Sequence, residues 1–169
     1  MSEQTYIIRD ANMEDLPRIV EIYNTSIPGK LATADLEEVT VDSRLAWFHE
    51  HNSHHRPLWV IEEERGIVGW LSFQSFYGRP AYNATAEVSI YLDPNVHGKG
   101  YARILMDKAI SECPGLEIKT LLAFVFGHNA PSIKLFEHYQ FERWAHLPKI
   151  ANMEGVERDL VILGKRIVD

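Results

Sequence analysis

Between residues 87 and 103 the chain reads Glu87-Val88-Ser89-Ile90-Tyr91-Leu92-Asp93-Pro94-Asn95-Val96-His97-Gly98-Lys99-Gly100-Tyr101-Ala102-Arg103. A carboxylate on a strand can accept a proton. The two glycines let backbone N–H groups approach a ligand closely, and the helix that follows presents unpaired amides to an anion such as phosphate. An ordinary strand-to-helix turn uses the same glycines, and spacing alone does not separate the two. A Walker loop is absent, because Lys99 is followed by Gly100 and not by Ser or Thr. A dinucleotide fingerprint needs a third small residue at position 103, where Arg103 stands. Glu87 reads either as a base facing a partly apolar cleft, where burial raises its pKa, or as a solvated glutamate on the polar face of a strand. Arg79 lies among Phe76, Tyr77 and Tyr82. Its guanidinium fork matches a carboxylate or phosphinate, although a charged loop residue is the plainer alternative.

The run His49-Glu50-His51-Asn52-Ser53-His54-His55 raises metal binding, since His51 and His55 are spaced to share a helix face. Asn52-Ser53 and Pro57 fray a helix there, H-E-x-x-H is missing, and no metal is expected. Cys113, the single cysteine, excludes an internal disulfide and a multi-thiolate zinc site and is expected to be a buried helix-end residue.

Mixed elements must hold these residues. Strands are predicted at Thr5–Arg9, Leu58–Glu62, Ile67–Phe73, Ala86–Leu92, Thr120–Phe126, Phe141–Leu147 and Glu157–Ile167. Helices are predicted to about Thr25 on the spacing of Leu16, Ile19, Val20 and Tyr23, at Val41–His51, after Gly100, and from Pro131 to Tyr139. Arg65-Gly66 reads as a hairpin turn, and Asp10–Asn12 as cap chemistry. In Ala86–Leu92, Glu87, Ser89 and Tyr91 point to one face and Val88, Ile90 and Leu92 to the other. No repeat, linker or low-complexity segment divides the chain, so residues 1–169 are expected to form a single domain.

The 169 residues are 46% hydrophobic and 24% charged, which fits one globular domain. The formal net charge of -7 speaks against nucleic-acid binding. That charge is uneven: residues 1–64 carry 13 acids against 5 Lys or Arg, and residues 65–169 carry 11 against 12. No run of apolar residues approaches a membrane span, and Met1-Ser2-Glu3-Gln4 lacks the features of a secretory signal. The expected compartment is the cytoplasm.

The turn His97-x-x-Gly100-x-Ala102 with Asn129, Ser132, Leu135 and Phe141 downstream resembles the GNAT superfamily of acetyl-CoA-dependent N-acetyltransferases. His97 stands where Gln or Arg is usual, and Gln140 where glycine is commoner. Ala32-Thr33, Thr40, Arg44, Trp47-Phe48, Gly69-Trp70, Phe76–Tyr82 and Thr85-Ala86-Glu87 look like the phosphinothricin and methionine sulfoximine acetyltransferase branch. The resemblance implies a single α/β domain, a central twisted and mostly antiparallel sheet flanked by helices, in the order β-α-α-β-β-β-α-β-α-β-β. It implies acetyl-CoA as co-substrate, with no metal required, and a small amino-acid-like substrate acetylated on its α-amine.

By the same resemblance Glu87 is the general base and the Leu92 N–H the donor to the thioester oxygen. Ile90, Tyr91, Leu92, Gly98, Lys99, Gly100, Tyr101, Ala102, Arg103 and Asn129 lie along the cofactor. Tyr77, Gly78, Arg79, Glu87, Val88 and Ser89 contact substrate. Many superfamily members have a tyrosine acid where Phe136 stands, leaving Tyr139 and His138 as neighbouring proton donors. A homodimer is expected, with Trp47-Phe48 and Trp144 as candidate contacts. A polyamine or protein-amine acetyltransferase and a non-catalytic acyl-CoA sensor are the competing functions.

Overall fold

The computed structural model describes residues 5–168, so the opening tetrapeptide Met1–Gln4 lies outside the described residues. Seven strands form one sheet: β1 (Ile7–Asp10), β2 (Leu58–Glu63), β3 (Gly66–Ser75), β4 (Thr85–Leu92), β5 (Thr120–Phe126), β6 (Glu142–Met153) and β7 (Val156–Arg166). The helices are α1 (Leu16–Thr25), α2 (Leu45–His49), α3 (Tyr101–Glu112) and α4 (Ala130–His138). The spatial order is β1-β2-β3-β4-β5-β7-β6, and every neighbouring pair is antiparallel except β4 and β5. The mostly antiparallel α/β sheet expected from the sequence is therefore present.

The β4–β5 pair joins the two halves of the sheet and is short. Its register covers only Thr85–Glu87 against Thr120–Leu122. Beyond Glu87, β4 continues on β3 as far as Gly69↔Leu92, while β5 runs on β7 as far as Phe126↔Leu160. The two central strands thus diverge into a cleft.

Two apolar clusters flank the sheet. The larger packs Val68, Leu71, Phe73 and Val88 against Leu105, Met106 and Ala109 of α3 and Phe136 of α4. The smaller packs Ile19 and Ile22 of α1 against Leu58, Val60 and Trp70, with Trp47 and Phe48 of α2 at its margin. Strand alternation assigns β4 residues to opposite sides as expected: Val88 joins the larger cluster, and Tyr91 borders the smaller. Cys113 is fully buried at the end of α3, and burial pushes its thiol pKa up to about 12, so it is held as an unreactive thiol.

Several boundaries differ from the sequence expectation. The helix expected over 41–51 is a one-turn 3₁₀ helix, Asp42–Arg44, followed by the short α2. Thr40 and Ser43 begin the turn reciprocally, each side-chain oxygen accepting the other's N–H, and Arg44, at φ -104°, ψ 0°, joins the turn to α2. The helix ends before His51, so His51 and His55 do not share a helix face. The His51 ring Nδ1 meets the Trp47 carbonyl at 2.9 Å, and the His55 N–H donates to Asn52.

At the C-terminus β6 runs past Pro148, where a strand end was expected. The ladder is irregular between Leu147 and Ala151, which excuses the missing proline N–H. Glu154 and Gly155, both at positive φ, close the β6–β7 hairpin.

Candidate active site

A cavity of about 180 Å³ opens between the α1–α2 side of the sheet and the point where β4 leaves β5. Its floor follows directly from the β3–β4 register. Trp70, Ser72 and Gln74 alternate along β3, and they pair with Tyr91, Ser89 and Glu87 on β4. All six line the cavity. Ile19, Val20 and Tyr23 of α1, Val39, Arg44 and Trp47 complete the wall. Trp70 is anchored by its indole N–H to the Ile19 carbonyl at 3.1 Å and stacks on Tyr91, with ring centroids 4.8 Å apart.

Glu87 is the only carboxylate among the lining residues. Burial raises its pKa, and no hydrogen bond or neighbouring cation opposes the shift. Burial likewise pushes the Tyr91 phenol well up, and its hydroxyl donates to the Ala32 carbonyl at 3.2 Å. Tyr91 therefore stays neutral and serves as wall and tether.

Arg44 is the only cation among the lining residues, and the sequence reading gave it no role. Its Nη2 donates to Asp35 at 3.0 Å, and its guanidinium lies 4.8 Å from the centre of the Tyr23 ring. Tyr23 donates its hydroxyl proton to the same Asp35 oxygen and receives the Thr33 hydroxyl at 2.5 Å. The signal for this wall was present in the alternation of polar Ser72 and Gln74 through an apolar strand. What was missing was the fold that brings residues 33–44 over it.

The glycine turn lies at the other side of the β4 end. Gly98 and Gly100 have φ of +83° and +84°, and a Cβ added at either would meet no atom within 4 Å. Gly100 caps α3, a twelve-residue helix whose first amides lack intrahelical acceptors. Open space over glycine, bare amides and exposed Lys99 and Arg103 fit a polyphosphate such as the pyrophosphate of acetyl-CoA. The Asp93 N–H reaches Val68 of β3 at 2.8 Å, so strand alternation turns the Leu92 and Ile90 amides the other way, into the cleft that β5 has left.

The remaining sequence-predicted residues are distributed unevenly. Glu87 and Ser89 line the cavity, but Val88 points through the sheet and is 2% exposed in the larger core. Tyr77, Gly78 and Arg79 are not among the lining residues. Tyr77 is 80% exposed, and Arg79 is an exposed residue preceding the 3₁₀ turn Pro80–Tyr82. The loop folds on itself instead, Phe76 packing against both Tyr77 and Tyr82. Tyr91 faces the cavity with its ring, and by the same alternation its amide turns towards β3. Tyr101 buries its ring and donates its hydroxyl to Glu63 at 2.5 Å, leaving its amide for the turn.

Asn129 is buried and caps α4, accepting the Ser132 N–H, while its amide donates to the Leu31 carbonyl at 3.2 Å. His128 meets the Lys30 carbonyl at 3.1 Å. Three consecutive carbonyls, those of residues 30–32, are thus held by His128, Asn129 and Tyr91. This ties the loop after α1 to both arms of the cleft. Phe136 is buried, and the Tyr139 hydroxyl lies between the Arg103 carbonyl and Asp107, its one proton shared between these two acceptors. Among the described residues no group of three or more His, Cys, Asp or Glu is gathered for a metal, and no helix is long and apolar enough to cross a membrane.

The acetyltransferase (GNAT) family model matches residues 16–141. YwnH of Bacillus subtilis (strain 168), whose name assigns it provisionally to the phosphinothricin acetyltransferases, is 48% identical over 161 residues, which is 95% of this chain and 98% of that protein. The L-methionine sulfoximine/L-methionine sulfone acetyltransferase of Salmonella typhimurium is 30% identical over 156 residues, 92% of this chain and 91% of that one. A solved structure of a GNAT superfamily phosphinothricin acetyltransferase from Sinorhizobium meliloti, in complex with AcCoA, superposes with a TM-score of 0.88 at 28% identity. The match covers 96% of this chain and 88% of that chain.

Proposed function

The chain belongs to the GNAT family of acetyltransferases, and from that premise we propose that it acetylates the α-amine of a small amino-acid-like substrate of the phosphinothricin, methionine sulfoximine or methionine sulfone type. The observation that carries the proposal is a small aromatic-walled cavity whose single carboxylate, Glu87, has a raised pKa at the mouth of the β4–β5 cleft. About 180 Å³ lies below the roughly 300–1,000 Å³ of drug-sized ligand sites, which favours an amino acid over a long polyamine or a protein segment.

Acetyl-CoA, when bound, supplies an activated carbonyl and a thiolate leaving group. The chain supplies the rest. Glu87 removes the proton that keeps the acceptor amine from attacking, directly or through a water. The Leu92 N–H, turned into the cleft, donates to the carbonyl oxygen as negative charge builds there. The amides from Gly98 to Arg103 hold the phosphates, and Ile90–Leu92 flank the pantetheine arm with Asn129 beyond it. Phe136 cannot donate a proton and Tyr139 is engaged between helices. A thiol with a pKa near about 8.5 leaves without a dedicated acid.

Thiol release from acetyl-CoA, measured across methionine sulfone, phosphinothricin, other amino acids, spermidine and a lysine peptide, tests the function. Turnover with the amino-acid analogues is expected. Turnover with spermidine or the peptide alone overturns the substrate class, and acetyl-CoA binding without any turnover overturns the activity.

Gly100→Ala tests the anion cradle. A Cβ at φ +84° costs about 1–2 kcal/mol of backbone strain and projects into the open space over the turn. The KM for acetyl-CoA is expected to rise about tenfold, while the acceptor KM stays within a factor of two or so. An unchanged acetyl-CoA KM would remove this turn from the cofactor site.

The proposed assembly is a homodimer, for which Phe124 of β5 and Trp144 of β6, the strands on either side of β7, leave apolar surface. Sedimentation at twice the 19.4 kDa chain mass is the expected result, and a monomer would exclude it.

A further inference from the structure

We propose that Arg44 is the specificity residue of the acceptor site, its guanidinium binding the α-carboxylate of the amino acid whose amine faces Glu87. The inference rests on the amino-acid acetylation proposed above and adds the group that selects for a free carboxylate.

Four observations carry it. First, the twelve residues lining the cavity include one cation and one anion, Arg44 and Glu87. An α-amino acid presents a cation and an anion of its own, so the pair gives it one orientation: amine to Glu87, carboxylate to Arg44. Both side chains line the same cavity, with Tyr91 on its wall.

Second, Arg44 is only partly used by the protein. Its one hydrogen bond among the described residues runs from Nη2 to Asp35. An arginine has five N–H donors, so Nε and Nη1 keep theirs for a ligand oxygen. Third, the guanidinium is held in place before any ligand arrives. Asp35 fixes one edge and the Tyr23 ring, 4.8 Å away, lies beneath its face. Asp35 is in turn held by the Tyr23 hydroxyl, and its own N–H donates to Thr33 Oγ1 at 3.2 Å. A braced fork loses less freedom on binding an oxyanion than a free side chain does.

Fourth, the arginine suggested by the sequence does not reach this chamber. Arg79 is exposed on the loop after β3 and does not line the cavity. Arg44, the last residue of the 3₁₀ turn Asp42–Arg44 that leads into α2, does line it.

The test compares methionine sulfone with its carboxamide, which keeps the amine and side chain but carries no anionic carboxylate. Wild type is expected to prefer the acid. Arg44→Met is expected to raise the KM for the acid about 10–100-fold, the range for a lost hydrogen bond to a charged group, with kcat changed less than about threefold. Its KM for the carboxamide should stay near that of wild type, so the preference for the acid disappears. Arg44→Lys, which retains the charge without the fork, should recover part of that preference.

Equal loss on acid and carboxamide in Arg44→Met, with no recovery in Arg44→Lys, would make Arg44 a brace for the 33–44 segment and overturn the proposal. Equal use of acid and carboxamide by wild type would also overturn it. Failure of wild type to acetylate any amino acid overturns the function proposed above, and the Arg44 assignment falls with it. The first two failures leave amino-acid acetylation standing.

Discussion

Glu87→Gln is expected to lower kcat/KM at neutral pH by about 10²–10⁴-fold, the usual contribution of a positioned general base. The loss should shrink at high pH. Above roughly pH 8 a growing share of free α-amine is already neutral, and the base has less to remove. In wild type, burial holds the Glu87 pKa above the ordinary carboxylate value. The acidic limb of kcat/KM is therefore expected at higher pH than an exposed glutamate would give, and the glutamine variant should lack it. Equal loss across the whole pH range would mean that Glu87 is not the base.

Stability should move the opposite way. A carboxylate whose folded pKa is raised favours the protonated form in the fold, so its contribution is best below the ordinary carboxylate pKa. It worsens as pH rises through the ordinary value towards the raised one. Glutamine never ionises, so Glu87→Gln is expected to raise Tm at neutral pH, with the difference closing in acid. Gain in stability together with loss of rate marks a group kept for chemistry. A lower Tm at neutral pH would indicate instead that Glu87 makes a stabilising contact.

Trp70→Ala is expected to cost about 3–5 kcal/mol of folding stability, read as a lower urea midpoint with little change in slope. Trp70 is 3% exposed, stacks on Tyr91, meets Trp47 edge-on at 5.4 Å and bonds the Ile19 carbonyl. It is at once the floor of the cavity and the contact that seats α1 on the sheet. The acceptor KM should therefore rise more than tenfold or so, while the KM for acetyl-CoA, whose proposed site is on the other side of the β4 end, changes only a few-fold. Trp70→Phe retains a ring without the N–H and should cost about 1 kcal/mol. A similar rise in both KM values for Trp70→Ala would mean that the two half-sites are not separately supported.

The glycine turn and the alternation of β4 are legible in the chain because they are local. Gly98 and Gly100 mark positive φ, and period-two side chains assign Glu87 and Val88 to opposite faces whatever the rest of the molecule does. The strands and main helices are readable for the same reason. The boundaries that differed depended on neighbours. Pro148 does not end β6 because the ladder with β7 is irregular there, and the 41–51 stretch divides into a 3₁₀ turn and the short α2, with Arg44 at the junction.

By itself, then, the sequence determined a mixed α/β chain, a glycine turn ahead of a helix, and a carboxylate one strand-length before it. Each rests on interactions within a few residues. Tertiary structure alone decided which arginine shares a chamber with that carboxylate. Arg44 and Glu87 are 43 positions apart and Arg79 only 8, yet the nearer one remains in solvent. The reason is topological. The β3–β4 hairpin carries its loop past the end of the sheet, whereas packing of α1 on Trp70 draws the following segment, residues 30–44, back across the same face. Proximity there is set by which elements bury which faces, and sequence separation carries no record of it.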